Sequence, residues 1–593
     1  MEIAKETKPV LQLVALKMIK IVCVLLCVSR LSAYSAVQAA VNMRLEGGDY
    51  PFLKNASAAP PAVTDFDYII VGGGTAGCPL AATLSLNYSV LLLERGNTPY
   101  GNPDIENAAN FGQLISNFHG NTWSSPVQSF QSQDGVFNRR ARVLGGGSAI
   151  NAGFYSRASD GFVRRAGWDA GMVASAYAWV EAIVCHFPRL QQWQSAVRDA
   201  LLQVGIGPNN GDTYEHLSGT KVGGSIFDEF GKRHTAADLL QYANPNNITV
   251  LLFANVHRIL FAPAVPGIPP RAIGVLFSDN VGIQHQALLR QSQHSEVLLA
   301  AGAIGSPHLL MLSGVGDADI LKAHGIPNVL NLPGVGQGMA DNPANAIYVP
   351  SPSPVEVSLI QAVGITKFGS FIETASGSQA SLSQVGSLGI MAPWFRSEGL
   401  AMGYAEALRN LPLRTQQILG QAGVILQKVD GPASVGNLTL NKTNVEDSPV
   451  VRFNYFSSPE DLFTCVESTR VVQQILQTSA MKNFTYTTMP ETIVNNAELV
   501  GNLVPEKQDV DTLAEWCRNS VITIWHYHGG CRVGSVVDPD SHQVIGVDGL
   551  RVIDGSTFNS SPGTNPQATV MMLGRYMGLK IHGNRQVSES RGR

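Results

Sequence analysis

The sequence predicts an α/β protein: a discontinuous Rossmann-like nucleotide-binding domain interrupted by an inserted α+β domain. Two observations carry that expectation. A strand-like run, Asp67–Val71, leads straight into Gly72-Gly73-Gly74-Thr75-Ala76-Gly77, a helical stretch to about Leu86 and a second apolar run, Ser89–Leu93. Residues 346–450 lose this rhythm and turn rich in Ser, Pro and Gly, and the C-terminal stretch from about 511 returns to it.

Each element has its own justification. Continuous apolar runs without alternation mark strands buried on both faces, as in a parallel sheet. Two of them joined by a helix within about 30 residues form a βαβ unit. In Gly72-x-Gly74-x-x-Gly77 the first glycine permits a tight turn and the second lets the backbone approach a pyrophosphate. The third allows close helix–strand packing, and the helix N-terminus, with Thr75 and Ala76, holds the negative charge. Glu94, followed by Arg95, ends the second strand 17 residues beyond Gly77. A carboxylate there accepts from ribose hydroxyls and disfavours a 2′-phosphate, so NADP is not expected. The fingerprint alone leaves NAD and FAD open. Further strands are expected at Ile248–Phe253 and Glu296–Ala300, the latter leading through Gly302 into a helix to Leu312. The nucleotide-binding domain is expected over 64–185, 250–345 and 511–583, and the inserted domain over 186–249 and 346–510.

The chain's 593 residues exceed one compact core, which agrees with two domains. Charged residues are 15% of the chain and the net charge is −4, a balance that points away from nucleic acid. Lys5, Lys8, Lys17 and Lys20 precede the apolar run Ile21–Val28, and small residues follow to Ala40. Residues 1–39 read as a secretory signal peptide cleaved near Ala39. A signal anchor starting near Val10 is the alternative, but Lys17 and Lys20 interrupt it. The expected location is the secretory pathway, then the extracellular space or cell wall, with no stable membrane span and a monomeric chain. Residues 41–63 read as a loose leader. Sequons stand at Asn55, Asn87, Asn247, Asn437, Asn441, Asn483 and Asn559; Asn87 and Asn559 are expected to go unused, near core elements. Five cysteines follow the leader, so at least one thiol stays free. No His, Cys or carboxylate spacing suits a metal.

The remaining motifs separate FAD from NAD. Arg142-Val143-Leu144-Gly145-Gly146-Gly147-Ser148-Ala149-Ile150-Asn151 resembles the first signature of the glucose–methanol–choline oxidoreductase family, and Gly302–Pro307 through Ser313–Gly316 resembles the second. Trp525-His526-Tyr527-His528-Gly529-Gly530, and Asp554-Gly555-Ser556 through Asn565-Pro566-Gln567, resemble its C-terminal segments. The similarity runs in the family's order from about residue 65 to 583, and is greatest to the plant HOTHEAD-like and mandelonitrile lyase branch. The resemblance implies FAD in place of NAD and the family's two-domain fold. It implies a flavin site that adds Val143, Gly145, Gly146, Ser148, Asn151, Ala152, Val256, Trp525, His526, Asp554, Gly555, Asn565, Pro566 and Gln567 to the fingerprint residues. Covalent members carry His where Ile150 stands, so noncovalent FAD is implied. So is a Cys465–Cys517 disulfide.

Oxidising a small-molecule alcohol requires loss of the hydroxyl proton and of a hydride from the same carbon. His526 is the candidate base, since neutral imidazole suits that step. Asn565 stands where the family places the second group that holds the substrate oxygen, and its amide can donate as that oxygen becomes negative. Related lyases carry His at the place of Asn565, so its neutrality favours redox chemistry over cyanohydrin cleavage. A hydroxynitrile lyase with structural FAD is the alternative, and a non-catalytic secreted protein is a third. The resemblance implies a long-chain ω-hydroxy fatty acid as substrate. His528 reads as a packing residue near the site, Cys531 as a small buried hydrophobe, and His308, His542 and His582 as ordinary surface or core histidines.

Overall fold

Six parallel strands form the central sheet of the computed structural model, which describes residues 50–116, 124–376, 410–415, 421–495, 502–563 and 565–591. Their order is Leu53–Asn55, Ile248–Leu252, Val90–Leu93, Tyr68–Val71, Glu296–Leu299 and Leu550–Val552. The four strands foreseen from apolar runs are adjacent here, within one residue of their expected ends. All four residues of Tyr68–Val71 and of Val90–Leu93 are buried, as a sheet covered on both faces demands. Ile69, Val71, Leu91, Leu93, Val297 and Leu299 pack into one core with the helix Gly302–Leu312 and with strands Asn255–Phe261 and Ala272–Ser278. Helix Gly77–Leu84 packs against the long C-terminal helix Gln567–Arg591, which also meets helix Ala170–Val184.

The stretch before residue 64 is not a loose leader throughout. Leu53–Asn55 adds an edge strand to the central sheet, and Ala62–Phe66 adds one to the neighbouring four-stranded sheet. Both are short and have no buried residue, so their pairing partners, not their own periodicity, make them strands. The expected signal peptide lies outside the described residues.

The second layer is a seven-stranded sheet ordered Val521–Ile522, Ala344–Pro350, Ala422–Val429, Ser370–Ser376, Ala362–Ile365, Gly219–Val222 and Asn209–Asp212. It is antiparallel except for its last pair. One face carries Ile347, Ile372 and Ile425 onto helices Gln192–Gln203 and Pro459–Leu476. The other carries Ala346, Tyr348, Phe371, Val424 and Leu426 onto Phe154 and Ile524. Period-two alternation thus gives Ala422–Val429 one face for the helices and one for Phe154 and Ile524. The stretch 186–249 divides: Gln192–Gln203 joins this layer, whereas Ala236–Tyr242 packs on Gly77–Leu84.

Cys465 and Cys517 form a disulfide between helices Pro459–Leu476 and Val510–Asn519. Cys78, Cys185 and Cys531 are free. A bridge across 52 residues restricts the unfolded chain, so replacing both cysteines by serine is expected to lower stability by about 4 kcal/mol. Denaturant unfolding of the pair variant checks this. Asn87 and Asn559, expected to go unused, are both exposed, each just beyond a core element. Among the described residues no helix is long and apolar enough to cross a membrane.

Candidate active site

Parallel strands release their chain at one edge of the sheet, and ligands bind in the crevice beyond those carboxyl ends. Gly72 follows Val71, Glu94 follows Leu93, Ala300 follows Leu299 and Asp554 stands two residues after Val552; all four line a single large cavity. Thr75, Ala76, Gly74, Arg95, Val143, Gly146, Asn151, Ala152, Val256, Trp525, His526, Gly555, Asn565, Pro566 and Gln567 line it too. Gly77, Gly145 and Ser148 are not on that lining, and each instead shapes it. A Cβ on Gly77 would lie 1.9 Å from the Gly72 carbonyl oxygen. Gly145, at φ +91°, donates its N–H to the Gly73 carbonyl at 2.7 Å. The Ser148 hydroxyl donates to Gly145 O at 2.6 Å and accepts from the Ala236 N–H at 2.8 Å. Gly145 thus ties the two glycine loops together, Gly77 closes the first on itself and Ser148 ties the second to Ala236, roles that sequence motifs cannot distinguish from touching a ligand.

The cradle fits a dinucleotide. Gly74 leaves its would-be Cβ 3.7 Å from the nearest atom, whereas Gly146 presses on Gly74 so closely that a Cβ would come within 2.6 Å. Helix Gly77–Leu84 has no side-chain cap; within its first turn the Cys78 and Leu80 N–H groups donate to Gly74 O and Ala76 O, each at 3.1 Å, and Pro79 has no N–H, so the Gly77 N–H is the one that faces the turn where an anion would rest. Glu94 is buried, and its oxygens accept from the Gly73 and Gly96 N–H groups at 2.9 and 2.8 Å. Burial raises its pKa, opposed by those N–H groups and by Arg95. One lone pair per oxygen is left for ribose hydroxyls. Asp554 accepts from Gly302 N–H at 2.9 Å and Ser306 hydroxyl at 2.6 Å, and so caps the helix that opens beside the cavity. Asn151 donates to Gln567 at 2.8 Å, joining the first signature to the C-terminal segment.

His526 and Asn565 stand on the wall of the same cavity. Trp525 takes φ +60°, a left-handed conformation rare for a bulky side chain, and such strain gathers at functional sites. The next residue's N–H donates to Asp341 Oδ1 at 2.8 Å, while Tyr455 and Thr523 donate to Asp341 Oδ2, each at 2.6 Å. Burial first, then Lys428 and His528, hold the His526 imidazole well below its ordinary pKa. Its Nδ1 lies 3.2 Å from the Asn342 amide nitrogen. Asn342 Oδ1 has no partner in this orientation. A half-turn of that amide would let the oxygen accept from Nδ1–H and leave Nε2 as the basic nitrogen. As placed, the amide NH2 meets Nδ1 and also donates to Ser561 Oγ at 3.3 Å, which corresponds to the tautomer with its proton on Nε2.

His528 does not line the cavity; its Nδ1 meets the His526 carbonyl at 3.0 Å, and burial pushes its pKa down to about 4. His542 is buried against Val552 O, and His582 meets the Tyr88 hydroxyl. His308 corrects the expectation: it lines the cavity, and burial with the nearby Arg140 and Arg95 pushes it down to about 3. Cys531 is buried, which raises its thiol pKa. Among the described residues no group of three or more His, Cys, Asp or Glu could hold a metal.

Several functional residues escaped sequence reasoning. Arg233 donates to the carbonyls of Asn151 and Ser148 at 2.6 and 3.2 Å, holding the loop that lines the cavity. Lys428 and Glu373 form a fully buried pair at 2.9 Å, and Lys428 also donates to Asn565 Oδ1 at 3.0 Å. A lone charge in each of two apolar strands was the available signal, but only strand register brings the two together.

The description "GMC oxidoreductase" matches residues 66–344 and again 432–574, more than half of the chain. The chain belongs to the GMC oxidoreductase family. The match spans both glycine loops, the second signature and the His526–Asn565 segments, and fixes the fold as the GMC fold. FAD is the cofactor of this GMC chain. The chain is 50% identical to Protein HOTHEAD of Arabidopsis thaliana over 87% of its length and 88% of the relative's. It is equally identical to the (R)-mandelonitrile lyase-like protein of the same plant, over 87% and 89%. It is 45% identical to Sinalpyl alcohol oxidase Nec3 of Nesocodon mauritianus, over 88% and 90%.

Proposed function

We propose that this chain oxidises the CH–OH group of an alcohol, with His526 as the base and Asn565 as the donor to the substrate oxygen. The observation that carries the reading is the His526–Asn565 pair on the wall of the FAD cavity. When bound, FAD supplies the acceptor for the hydride leaving the alcohol carbon. His526 is held neutral by burial and by Lys428, so it can take the hydroxyl proton at working pH. Asn565 steadies the oxygen as it gains charge by donating to it from a fixed position. Gly72–Ala76 would receive the pyrophosphate, Glu94 the ribose and Val256 the adenine. Noncovalent attachment follows from Ile150, whose hydrocarbon side chain lines the cavity and offers no nucleophile.

A long-chain ω-hydroxy fatty acid is the proposed substrate, on the likeness to HOTHEAD, and the name of Nec3 supports alcohol oxidation in general. Secretion is proposed for the chain, supported by the Cys465–Cys517 bridge, since disulfides persist in oxidising compartments. The likeness to a mandelonitrile lyase-like protein favours a second reading, cyanohydrin cleavage with a passive flavin. Anaerobic mixing separates them. Bleaching of the flavin absorbance by ω-hydroxy acids or aromatic alcohols is expected, and reoxidation by oxygen then distinguishes oxidase from dehydrogenase. Cyanide release from mandelonitrile with the flavin still oxidised would overturn the redox reading.

A further inference from the structure

Lys428 and Glu373 sit where charge is hardest to accommodate. Both side chains are 0% exposed, and Nζ lies 2.9 Å from Oε2. Strand register pairs Lys428 with Phe371, and Glu373 lies two residues along on the same face. The ammonium lies 4.1 Å from the centre of the Phe371 ring. A buried ion pair is often less stabilising than apolar side chains of the same volume. Glu373 Oε1 also has no hydrogen-bond partner. Packing of this strand pair alone therefore does not call for the pair.

The third contact does. Lys428 Nζ lies 3.0 Å from Asn565 Oδ1, and Asn565 lines the cavity beside His526. An ammonium has donors and no acceptor, whereas an amide side chain has one end of each kind. At that distance Asn565 must turn its oxygen to Lys428, which directs its NH2 elsewhere. We propose that the Lys428–Glu373 pair fixes the side-chain orientation of Asn565 so that its N–H groups, not its carbonyl, face the substrate oxygen. Lys428 is thus a positioning residue. Glu373 keeps the ammonium buried at that spot, and the Phe371 ring supports it from the strand. With Lys428 gone, the amide is free to flip and would present a carbonyl to an oxygen gaining negative charge. This inference rests on the alcohol-oxidation reading, and its test is built to separate the two.

The holoenzyme of Lys428→Met/Glu373→Gln replaces both charges with neutral side chains of similar size. At full FAD occupancy, its rate of anaerobic flavin reduction by a substrate alcohol is expected to fall about 100-fold, as for the loss of one oxyanion donor. Asn565→Ala should fall by a similar factor, and the triple variant should fall no further. A pair variant as fast as wild type, or one in which Asn565→Ala still costs its full factor, overturns the proposal. Asn565→Asp serves if the pair variant does not fold: a carboxylate accepts from Lys428 and has no N–H to give. It too should be about 100-fold slower, and a rate within threefold of wild type overturns the proposal.

Acetophenone, a neutral carbonyl compound with no hydride to lose, reads the same contact by its perturbation of the flavin absorbance. Its dissociation constant should weaken at least tenfold in the pair variant, about the worth of one hydrogen bond. If no alcohol reduces the wild-type flavin yet acetophenone binding depends on Lys428, the redox reading falls and the positioning role stands. If alcohols reduce the flavin and neither rate nor affinity depends on Lys428, the positioning role falls alone.

Discussion

His526→Ala is expected to reduce alcohol-driven flavin reduction by about 10³-fold, the middle of the range for losing a general base, while FAD stays bound. The residues proposed to hold the cofactor, the two glycine loops, Glu94 and the Asp554 segment, keep their own hydrogen bonds without the imidazole. Flavin content measured beside the reduction rate separates the two effects. A variant that holds FAD and reacts at the wild-type rate would remove His526 from the chemistry. The same residue makes a pH prediction. Burial, Lys428 and His528 disfavour the imidazolium, so the folded pKa is depressed and protonation begins only in more acid solution. The sign follows: kcat/KM should stay level as pH falls from 8 through 6.5, where an ordinary histidine would already be losing its basic form. Rate profiles with a non-titrating alcohol check it, and a half-maximal point near 6.5 that vanishes in His526→Gln would contradict it.

Gly77→Ala should abolish FAD binding. The added Cβ would lie 1.9 Å from the Gly72 carbonyl oxygen and 3.5 Å from Ala300 Cβ. The nearest atom is backbone, and Gly72 is itself held by its N–H bond to Leu93 O at 2.8 Å. Relief requires moving helix Gly77–Leu84 away from the sheet, and that opens the turn on which the pyrophosphate would rest. Overpacking of this kind costs about 3 kcal/mol or more. The expected outcome is a colourless protein with a lowered melting temperature. Gly74→Ala offers the contrast: its Cβ meets nothing nearer than 3.7 Å, so the fold should survive while the space for phosphate is lost. Equal flavin content in both variants and wild type would show that the loop does not hold the cofactor.

Much of the nucleotide side was legible because its signals are local. Four apolar runs became neighbouring strands, and the glycine spacing marked the turn between two of them, since parallel βαβ geometry confines the required residues to one short segment. Other residues in the same motifs stand back from the cavity wall or unexpectedly on it. Gly77, Gly145 and Ser148 shape the cradle without lining it, and His308, inside the second signature but read as an ordinary histidine, lines the cavity. Whether a motif residue faces a ligand or a neighbouring loop depends on three-dimensional packing, which spacing does not encode. The short strands Leu53–Asn55 and Ala62–Phe66 were missed for a related reason: they bury none of their residues, and their partners lie some 200 residues away.

The sequence by itself determined the parallel core, the position of the glycine turn and the family, and it singled out His526 and Asn565 as candidates. The tertiary structure alone decided the surroundings of those two residues. It buries the imidazole beside Lys428 and His528, sets its Nδ1 against the Asn342 amide and turns the Asn565 oxygen to Lys428. Asn342 and Lys428 stand 184 and 137 residues from the groups they act on. The physical reason is that electrostatics and hydrogen-bond direction depend on distances across strands and layers. Residue type and spacing along the chain record only which groups are available.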